Sequence, residues 1–268
     1  MKIKSLNLAV AAAVLVISGQ AVAAIPGWTT IGNSGVQTAN DGAVLIPSGF
    51  TSVDWVSSYQ GISGNNGGYG GTNGSTATSN IFTATAGSTL SFAFDFITGD
   101  GTSTYPDYAW ANLVSATSNS IVATLFTATT KPGGSAVPGT GAGLPSISAT
   151  INPSTVTVSS GAGSTTWSPL GPSSGGCYGG FGNGCGNTGW VNATYDIAAA
   201  NDYYLVFGVA NAGDQAVDTG LAWVGANVNG STIGNGNGSG TNVPEPGSLA
   251  LLGLGIAGLG AARRRKTR

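Results

Sequence analysis

Apolar and polar residues alternate in short runs along most of this chain. The clearest run spans residues 90–96, where every second position is apolar: Leu90, Phe92, Phe94 and Phe96. Successive side chains of a β-strand point to opposite faces of its sheet. The run therefore predicts a central strand that turns these four side chains toward the core and Asp95 toward the opposite face.

Further short runs are rich in β-branched and aromatic residues, which favour strands. They predict strands at 43–46, 53–57, 81–84, 108–114, 121–127, 146–151, 155–159, 190–196, 203–209 and 220–228. About ten strands joined by Gly-rich loops indicate an all-β protein, a two-sheet sandwich of the jelly-roll or lectin-like kind. A single helical turn is expected, at 196–201.

Two long stretches, 61–79 and 161–189, consist mainly of Gly, Ser, Thr and Asn. This composition is typical of surface loops or insertions. A Gly/Asn repeat at 233–242 predicts a flexible linker. The sandwich domain is therefore expected at 24–232.

The first residues have the pattern of a secretory signal peptide. Lys2 and Lys4 precede an apolar stretch at 6–17, and Ala21-Val22-Ala23 supplies the small residues that a signal peptidase requires. We expect a signal peptide at 1–23, cleaved after Ala23 or Ala24. The alternative is an uncleaved N-terminal anchor.

The last residues, 243–268, combine three features in a fixed order. Val243, Pro244, Glu245 and Pro246 form a rigid turn, residues 249–262 are apolar, and Arg263, Arg264, Arg265 and Lys266 follow. As a helix the apolar stretch is about 21 Å long, shorter than the roughly 30 Å hydrocarbon core of a membrane. We expect a short transmembrane helix whose basic end stays in the cytoplasm. A buried hairpin and a generic membrane helix are the alternatives.

These three features together resemble the PEP-CTERM sorting signal of exported bacterial proteins. The resemblance implies that an exosortase recognises the Pro-Glu-Pro motif and removes the helix. It also implies transient association with the inner membrane, then delivery to the cell surface or the exopolysaccharide matrix. Residues 79–84, 94–114 and 203–230 are loosely similar to uncharacterised β-sandwich bodies that precede this signal, which implies no activity.

Charge and composition exclude several classes of function. Between residues 24 and 242 the chain has nine Asp, no Glu and one basic residue, Lys131, so its net charge is +1 − 9 = −8. Such a surface excludes nucleic acid and anionic membranes as partners, whereas cations, neutral glycans and proteins remain open. The chain has no histidine, which excludes His-based catalysis and His metal sites.

Cys177 and Cys185 are the only cysteines. Two cysteines in an exported chain predict a disulfide. A metal pair is the alternative, although a tetrahedral site needs four ligands.

Two loops that follow core strands are rich in aspartate. The candidate metal ligands are Asp95, Asp100, Asp107, Asp214 and Asp218. Clustered carboxylates beside Gly-rich backbone suit Ca²⁺, which takes about six to eight oxygen ligands. The alternative is that these residues form turns, since Asp bonds readily to local backbone.

The aspartates at 95, 100 and 107 also suggest a second hypothesis, a secreted carbohydrate-active hydrolase that uses a carboxylate pair. Most such sites include a Glu, so we expect no enzyme. The expected role is structural or adhesive, with exopolysaccharide as the candidate ligand. Aromatic residues in the polar stretches either stack on sugars or cap the core: Tyr59, Tyr69, Trp167, Tyr178 and Phe181.

Overall fold

The computed structural model describes residues 24–130, 134–140, 143–158, 165–179 and 184–234. The predicted signal peptide, Lys131, Phe181, the linker from residue 235 and the whole sorting signal lie outside these ranges. In the described ranges, no helix has the length and apolar character needed to cross a membrane.

The described ranges contain fifteen strands and one short 3₁₀-helix. The strands are β1 (Trp28–Ile31), β2 (Asn33–Gln37), β3 (Val53–Ser57), β4 (Ile62–Ser63), β5 (Asn73–Ser79), β6 (Phe82–Ala84), β7 (Thr89–Thr98), β8 (Tyr108–Ser115), β9 (Ile121–Thr129), β10 (Thr150–Asn152), β11 (Gly186–Asn187), β12 (Val191–Asp196), β13 (Asn201–Ala210), β14 (Thr219–Val228) and β15 (Ser231–Thr232). The 3₁₀-helix spans Ser168–Ser173.

The strands form two antiparallel sheets, which confirms the predicted all-β class. Sheet A has the order β1-β5-β13-β8-β9, and β4 and β6 pair with β5 and β13. Sheet B has the order β10-β12-β7-β14-β3-β2, and β11 and β15 pair with β7 and β14. The finer jelly-roll assignment stays a prediction.

The main core lies between the sheets, and β7 contributes to it as its alternation predicts. Leu90, Phe92, Phe94 and Phe96 are all buried there. Phe94 stacks on Phe126 of sheet A with ring centroids 3.8 Å apart. Because burying an aromatic side chain is strongly favourable, these rings are the principal contact between the sheets.

A second core covers half of the outer face of sheet B. Trp55 and Ile97 lie on this face, and Trp167 and Leu170 cover them from the segment of the 3₁₀-helix. The Trp167 ring lies so close to β14 that a Cβ on Gly220 would be 2.2 Å from it. A glycine in the middle of a strand is therefore required here for packing.

A third, smaller core covers the outer face of sheet A. It contains Tyr108 and Trp110 of β8, and Tyr69 packs against them from the stretch before β5. The two polar stretches of the sequence thus supply the covers of the two outer faces.

The prediction that residues 61–79 form only a loop is wrong, because Asn73–Ser79 is the buried strand β5. Its core-facing positions are Ser75, Ala77 and Ser79, so apolar alternation is missing. The Ser75 hydroxyl donates to the Ser57 carbonyl, and Ser79 Oγ accepts from the Leu205 amide. These bonds satisfy polar groups that face the interior.

The edge strands β1 and β2 were not predicted. Gly32 lies between them with φ of 86°, a conformation that favours glycine. The chain passes there directly from sheet A to sheet B, so neither short segment shows sustained alternation.

Four other predictions of local structure are wrong. Val44 and Val156 form only isolated bridges, to Asp41 and Val137. The strands expected at 43–46 and 155–159 are therefore absent at 43–46 and 155–158. Residues 197–200 contain no helical turn, because the Ile197 amide donates to the Ser88 carbonyl as the chain turns into β13. Ile233 is only 4% exposed and belongs to the core, not to the linker.

Candidate functional site

The two Asp-bearing loops meet at one end of the sandwich, which we call the aspartate end. Asp107 directly precedes β8, and its Oδ1 accepts a hydrogen bond of 2.9 Å from the amide of Ala212, which follows β13. The loops after β7 and β13 are therefore neighbours, although more than a hundred residues separate them in sequence.

The carboxyl group of Asp107 belongs to a chain of buried hydroxyl groups. Its Oδ2 lies 2.6 Å from the Thr219 hydroxyl, which lies 3.0 Å from the Thr98 hydroxyl. The Thr98 hydroxyl lies 3.0 Å from that of Thr130. Thr98 and Thr219 come from sheet B, whereas Asp107 and Thr130 flank strands of sheet A. The chain therefore joins the two sheets at this end.

Burial raises the pKa of Asp107 well above its ordinary value. Hydrogen bonds from Thr219 and Ala212 lower this pKa, and the nearby carboxylates of Asp100 and Asp214 raise it further. The Thr219 hydroxyl donates to Asp107 Oδ2 and lies within hydrogen-bond distance of the Thr98 hydroxyl. Because a hydroxyl group both donates and accepts, Thr98 and Thr130 extend the bonding of the carboxyl group to both sheets.

Two other aspartates of this end, Asp100 and Asp214, bond to their own loops. Asp100 Oδ1 accepts hydrogen bonds from the amide and the hydroxyl of Thr102. Asp214 Oδ1 accepts one from the Ala216 amide. Such bonds to a residue two positions later are characteristic of Asp in turns.

Asp218 fastens the 3₁₀-helix to the aspartate end. Its Oδ2 accepts a hydrogen bond of 2.9 Å from Ser173 Oγ, and its Oδ1 accepts one of 3.3 Å from Ser58 Oγ. Burial raises the pKa of Asp218, and the bonds from Ser173, Asn211 and Ser58 lower it.

No group of three or more Asp, Glu, Cys or His side chains is placed to hold a metal ion within the described ranges. The carboxylates instead accept hydrogen bonds from the protein, which favours the interpretation as turns. Calcium at this end stays a prediction.

Asp95 is held by a different segment from the other four aspartates. It lies on the outer side of β7, where Thr188 Oγ1 donates to its Oδ1 over 3.1 Å. Burial raises its pKa to about 7, although hydrogen bonds from Thr188 and Gly189 lower it. The expected grouping of Asp95 with the others is therefore wrong, because alternate residues of a strand face opposite sides.

The burial of Asp95 and Asp107 bears on the hypothesis of a carbohydrate-active hydrolase. Asp95 and Asp107 are each 1% exposed. A polysaccharide cannot reach either carboxyl group in this conformation, and a glycosidase needs both of its carboxyl groups beside the scissile bond.

Cys177 and Cys185 form the predicted disulfide, with their Cα atoms 5.7 Å apart. The neighbouring Tyr178 exchanges backbone hydrogen bonds of 2.8 Å with Gly99 and Gly101. The disulfide therefore holds the second polar stretch against the loop of Asp100.

The candidate sugar-stacking aromatics do not form one surface. Trp167 is fully buried and belongs to the second core. Tyr59 and Tyr69 are half-buried, and Tyr69 packs against Trp110. Tyr178 remains 51% exposed. For Trp167 and Tyr69, the interpretation as caps of the core is the one that fits.

A cleft that the sequence analysis missed lies at the opposite end, near the edge of sheet B. It has a volume of about 430 Å³ and is lined by Thr89, Ser148, Thr150, Thr194, Tyr195 and Asp196. We call it the edge cleft. The sequence analysis missed this cleft because threonine is common on β-strands. The one signal is the alternation of Asn192, Thr194 and Asp196, which indicates an exposed polar face.

Comparison with known families assigns the C-terminal segment. A family model described as the PEP-CTERM protein-sorting motif matches residues 242–266. Comparisons with curated proteins and with solved structures gave no match. The chain therefore carries a PEP-CTERM sorting motif after a β-sandwich body, which indicates an exported protein that an exosortase processes.

Proposed function

We propose that this protein is a non-catalytic component of the cell surface or extracellular matrix, with a structural or adhesive role and exopolysaccharide as its ligand. The observation that carries the proposal is the sorting motif at 242–266. It directs the sandwich to the compartment where surface polysaccharide is found.

The state of the carboxyl groups supports a role without catalysis. Asp95 and Asp107 are buried and accept hydrogen bonds from Thr188, Thr219 and Ala212. The chain has no histidine, and the loop aspartates Asp100, Asp214 and Asp218 also accept hydrogen bonds from the protein. Their arrangement is that of groups that hold the fold together.

The construction of the body supports a structural role outside the cell. The disulfide fastens one cover segment, and aromatic cores lie on both outer faces as well as between the sheets. The net charge of −8 between residues 24 and 242, with a single basic residue, disfavours acidic polymers and leaves neutral polymers as the polysaccharides that suit this surface.

The sorting step is tested with the full-length chain in a bacterium that has an exosortase. We expect the native chain to lose its C-terminal segment and to reach the surface or medium. Replacement of the motif by Pro244→Ala, Glu245→Gln and Pro246→Ala is expected to leave the chain intact in the inner membrane. Cell fractionation and mass spectrometry of the C-terminus measure both results.

Thr267→Ala, which changes the tail outside the motif, is the matched control and is expected to behave as the native chain. Equal processing and delivery of the motif variant and the native chain would overturn the sorting part of the proposal.

A further inference from the structure

The described residues cover one half of the outer face of sheet B and leave the other half, which we call the bare half, exposed. On the half formed by β3, β14 and the end of β7, loops bury Trp55, Ile97 and Val224. On the half formed by β10, β12 and the start of β7, polar side chains are exposed: Thr89, Thr150, Asn152, Asn192, Thr194 and Asp196. The edge cleft lies in this bare half.

The hydroxyl groups of the cleft are available for hydrogen bonding. The described residues provide no hydrogen-bond partner for the side-chain hydroxyls of Ser148, Thr150 and Thr194. Each can therefore both donate and accept. Thr150 and Thr194 are direct cross-strand partners, so their spacing is set by the sheet and costs little entropy to maintain on binding.

A carboxylate completes the lining. Thr89 Oγ1 donates to Asp196 Oδ1 over 2.8 Å, which orients the carboxylate and leaves Oδ2 as an acceptor. The Tyr195 side chain faces the main core, because Tyr195 pairs with the core-facing Leu90 and side chains alternate along a strand. The cleft thus combines hydrogen-bond donors and acceptors.

Charge selects among ligands that such a lining could bind. No Lys or Arg lines the cleft, so a phosphate, sulfate or uronate would meet Asp196 without a compensating cation. A single carboxylate is also insufficient for Ca²⁺. A neutral polyol with several hydroxyl groups matches the lining, and the cleft volume falls within the range of about 300–1,000 Å³ for small-molecule sites.

We propose that the edge cleft binds neutral sugar units of a polysaccharide through the hydroxyls of Thr150 and Thr194 and the carboxylate of Asp196. The proposal rests on the proposed function and locates its binding surface. None of the aromatic residues that the sequence analysis singled out lines the edge cleft in the described part of the chain.

The test is affinity electrophoresis of the full-length chain in a detergent without a sugar headgroup. The probes are two neutral polysaccharides, dextran and galactomannan, and one acidic polysaccharide, alginate. We expect retardation by at least one neutral polymer and none by alginate. The double variant Thr150→Val, Thr194→Val keeps side-chain size and strand propensity, and we expect it to bind at least tenfold more weakly.

Thr29→Val is the matched control, since Thr29 is also an exposed strand threonine but belongs to sheet A. It is expected to bind as the native chain does. Circular dichroism establishes that each variant is folded before binding is compared.

The outcomes separate the two proposals. Undiminished binding by the double variant would overturn the cleft and leave polysaccharide binding standing. Stronger retardation by alginate than by the neutral polymers would overturn the cleft as well, because its charge disfavours an acidic ligand. No retardation by any probe would overturn both the cleft and polysaccharide binding, while the fractionation experiment judges sorting separately.

Discussion

Thr89 and Thr98 are the two ends of the same strand, and they show how position decides what a threonine does. Thr98 is fully buried and lies between the hydroxyls of Thr219 and Thr130. Thr89 is exposed, and its hydroxyl donates to Asp196 at the rim of the edge cleft. Each threonine is linked to an aspartate, directly or through one hydroxyl.

The difference follows from solvent. At the aspartate end, water is excluded, and the buried groups of Asp107, Thr219 and Thr98 bond to one another and are not free for a ligand. At the cleft, water competes for each group, so the same residue types cost little to leave unpaired and remain free to bind. Burial, and not residue type, separates a structural Thr–Asp pair from one that a ligand can use.

The largest expected effect is on the pH dependence of stability. Burial raises the pKa of Asp95 from 3.8 to about 7, so the stabilisation from its neutral form is complete below pH 3.8 and is lost as the pH rises toward about 7. Three pKa units correspond to about 4 kcal/mol. We expect chemical unfolding to show stability falling between pH 4 and pH 8.

Asp95→Asn should reduce this pH dependence, because the neutral amide has no proton to lose, and the part that remains is due to Asp107, whose pKa burial also raises. Thr29→Val, an exposed substitution that involves no titratable group, is the control and should leave the slope as in the native chain. If the free energy of unfolding of the native chain instead rose between pH 4 and pH 7, the stabilising effect of the neutral, buried Asp95 would be contradicted.

A matched pair of substitutions on β7 tests the comparison at the level of one hydroxyl group. Thr98→Val removes the buried hydroxyl and leaves the hydroxyls of Thr219 and Thr130 without this hydrogen-bond partner. It should lower the free energy of unfolding by about 1–3 kcal/mol. Thr89→Val removes an exposed hydroxyl and should change it by about 0.5 kcal/mol or less. Denaturant titration measures both, and equal losses would show that burial does not decide the effect.

The smallest expected effect concerns calcium. The carboxylates of Asp100, Asp107 and Asp218 already accept protein hydrogen bonds, so a bound ion would have to displace these donors. We expect the melting temperature of the full-length chain after chelation to be unchanged by millimolar Ca²⁺. An upward shift, which binding to the folded state produces by mass action, would restore calcium at the aspartate end.

The sequence predicted the structure correctly where neighbouring residues alone decide it. The alternation at 90–96 predicted the core strand because its apolar side chains all face one side. The small sequence separation of Cys177 and Cys185 makes their pairing accessible almost independently of the fold. Residues 242–266 form a sorting signal that is read as a linear peptide, so its assignment required no tertiary structure.

The alternation of apolar and polar residues failed to predict a strand where the inward-facing residues are polar. β5 was missed because Ser75 and Ser79 face the interior and bond to Ser57 and Leu205.

Trp167 was considered for a binding loop because its neighbours are Gly, Ser and Thr. The structure instead buries its ring where Gly220, more than fifty residues later, leaves room for it. Neither the hydrogen-bond partners of the β5 serines nor the packing partner of Trp167 is near in sequence.

The sequence by itself determined the all-β class, the central strand, the disulfide and the sorting motif, because each depends on neighbouring residues or on a linear signal. Only the tertiary structure decided that Asp107 joins two sheets, that Asp95 lies apart from it, and that Thr150 and Thr194 line a cleft. These depend on pairing between distant strands, and pairing determines which polar groups are enclosed and which face water.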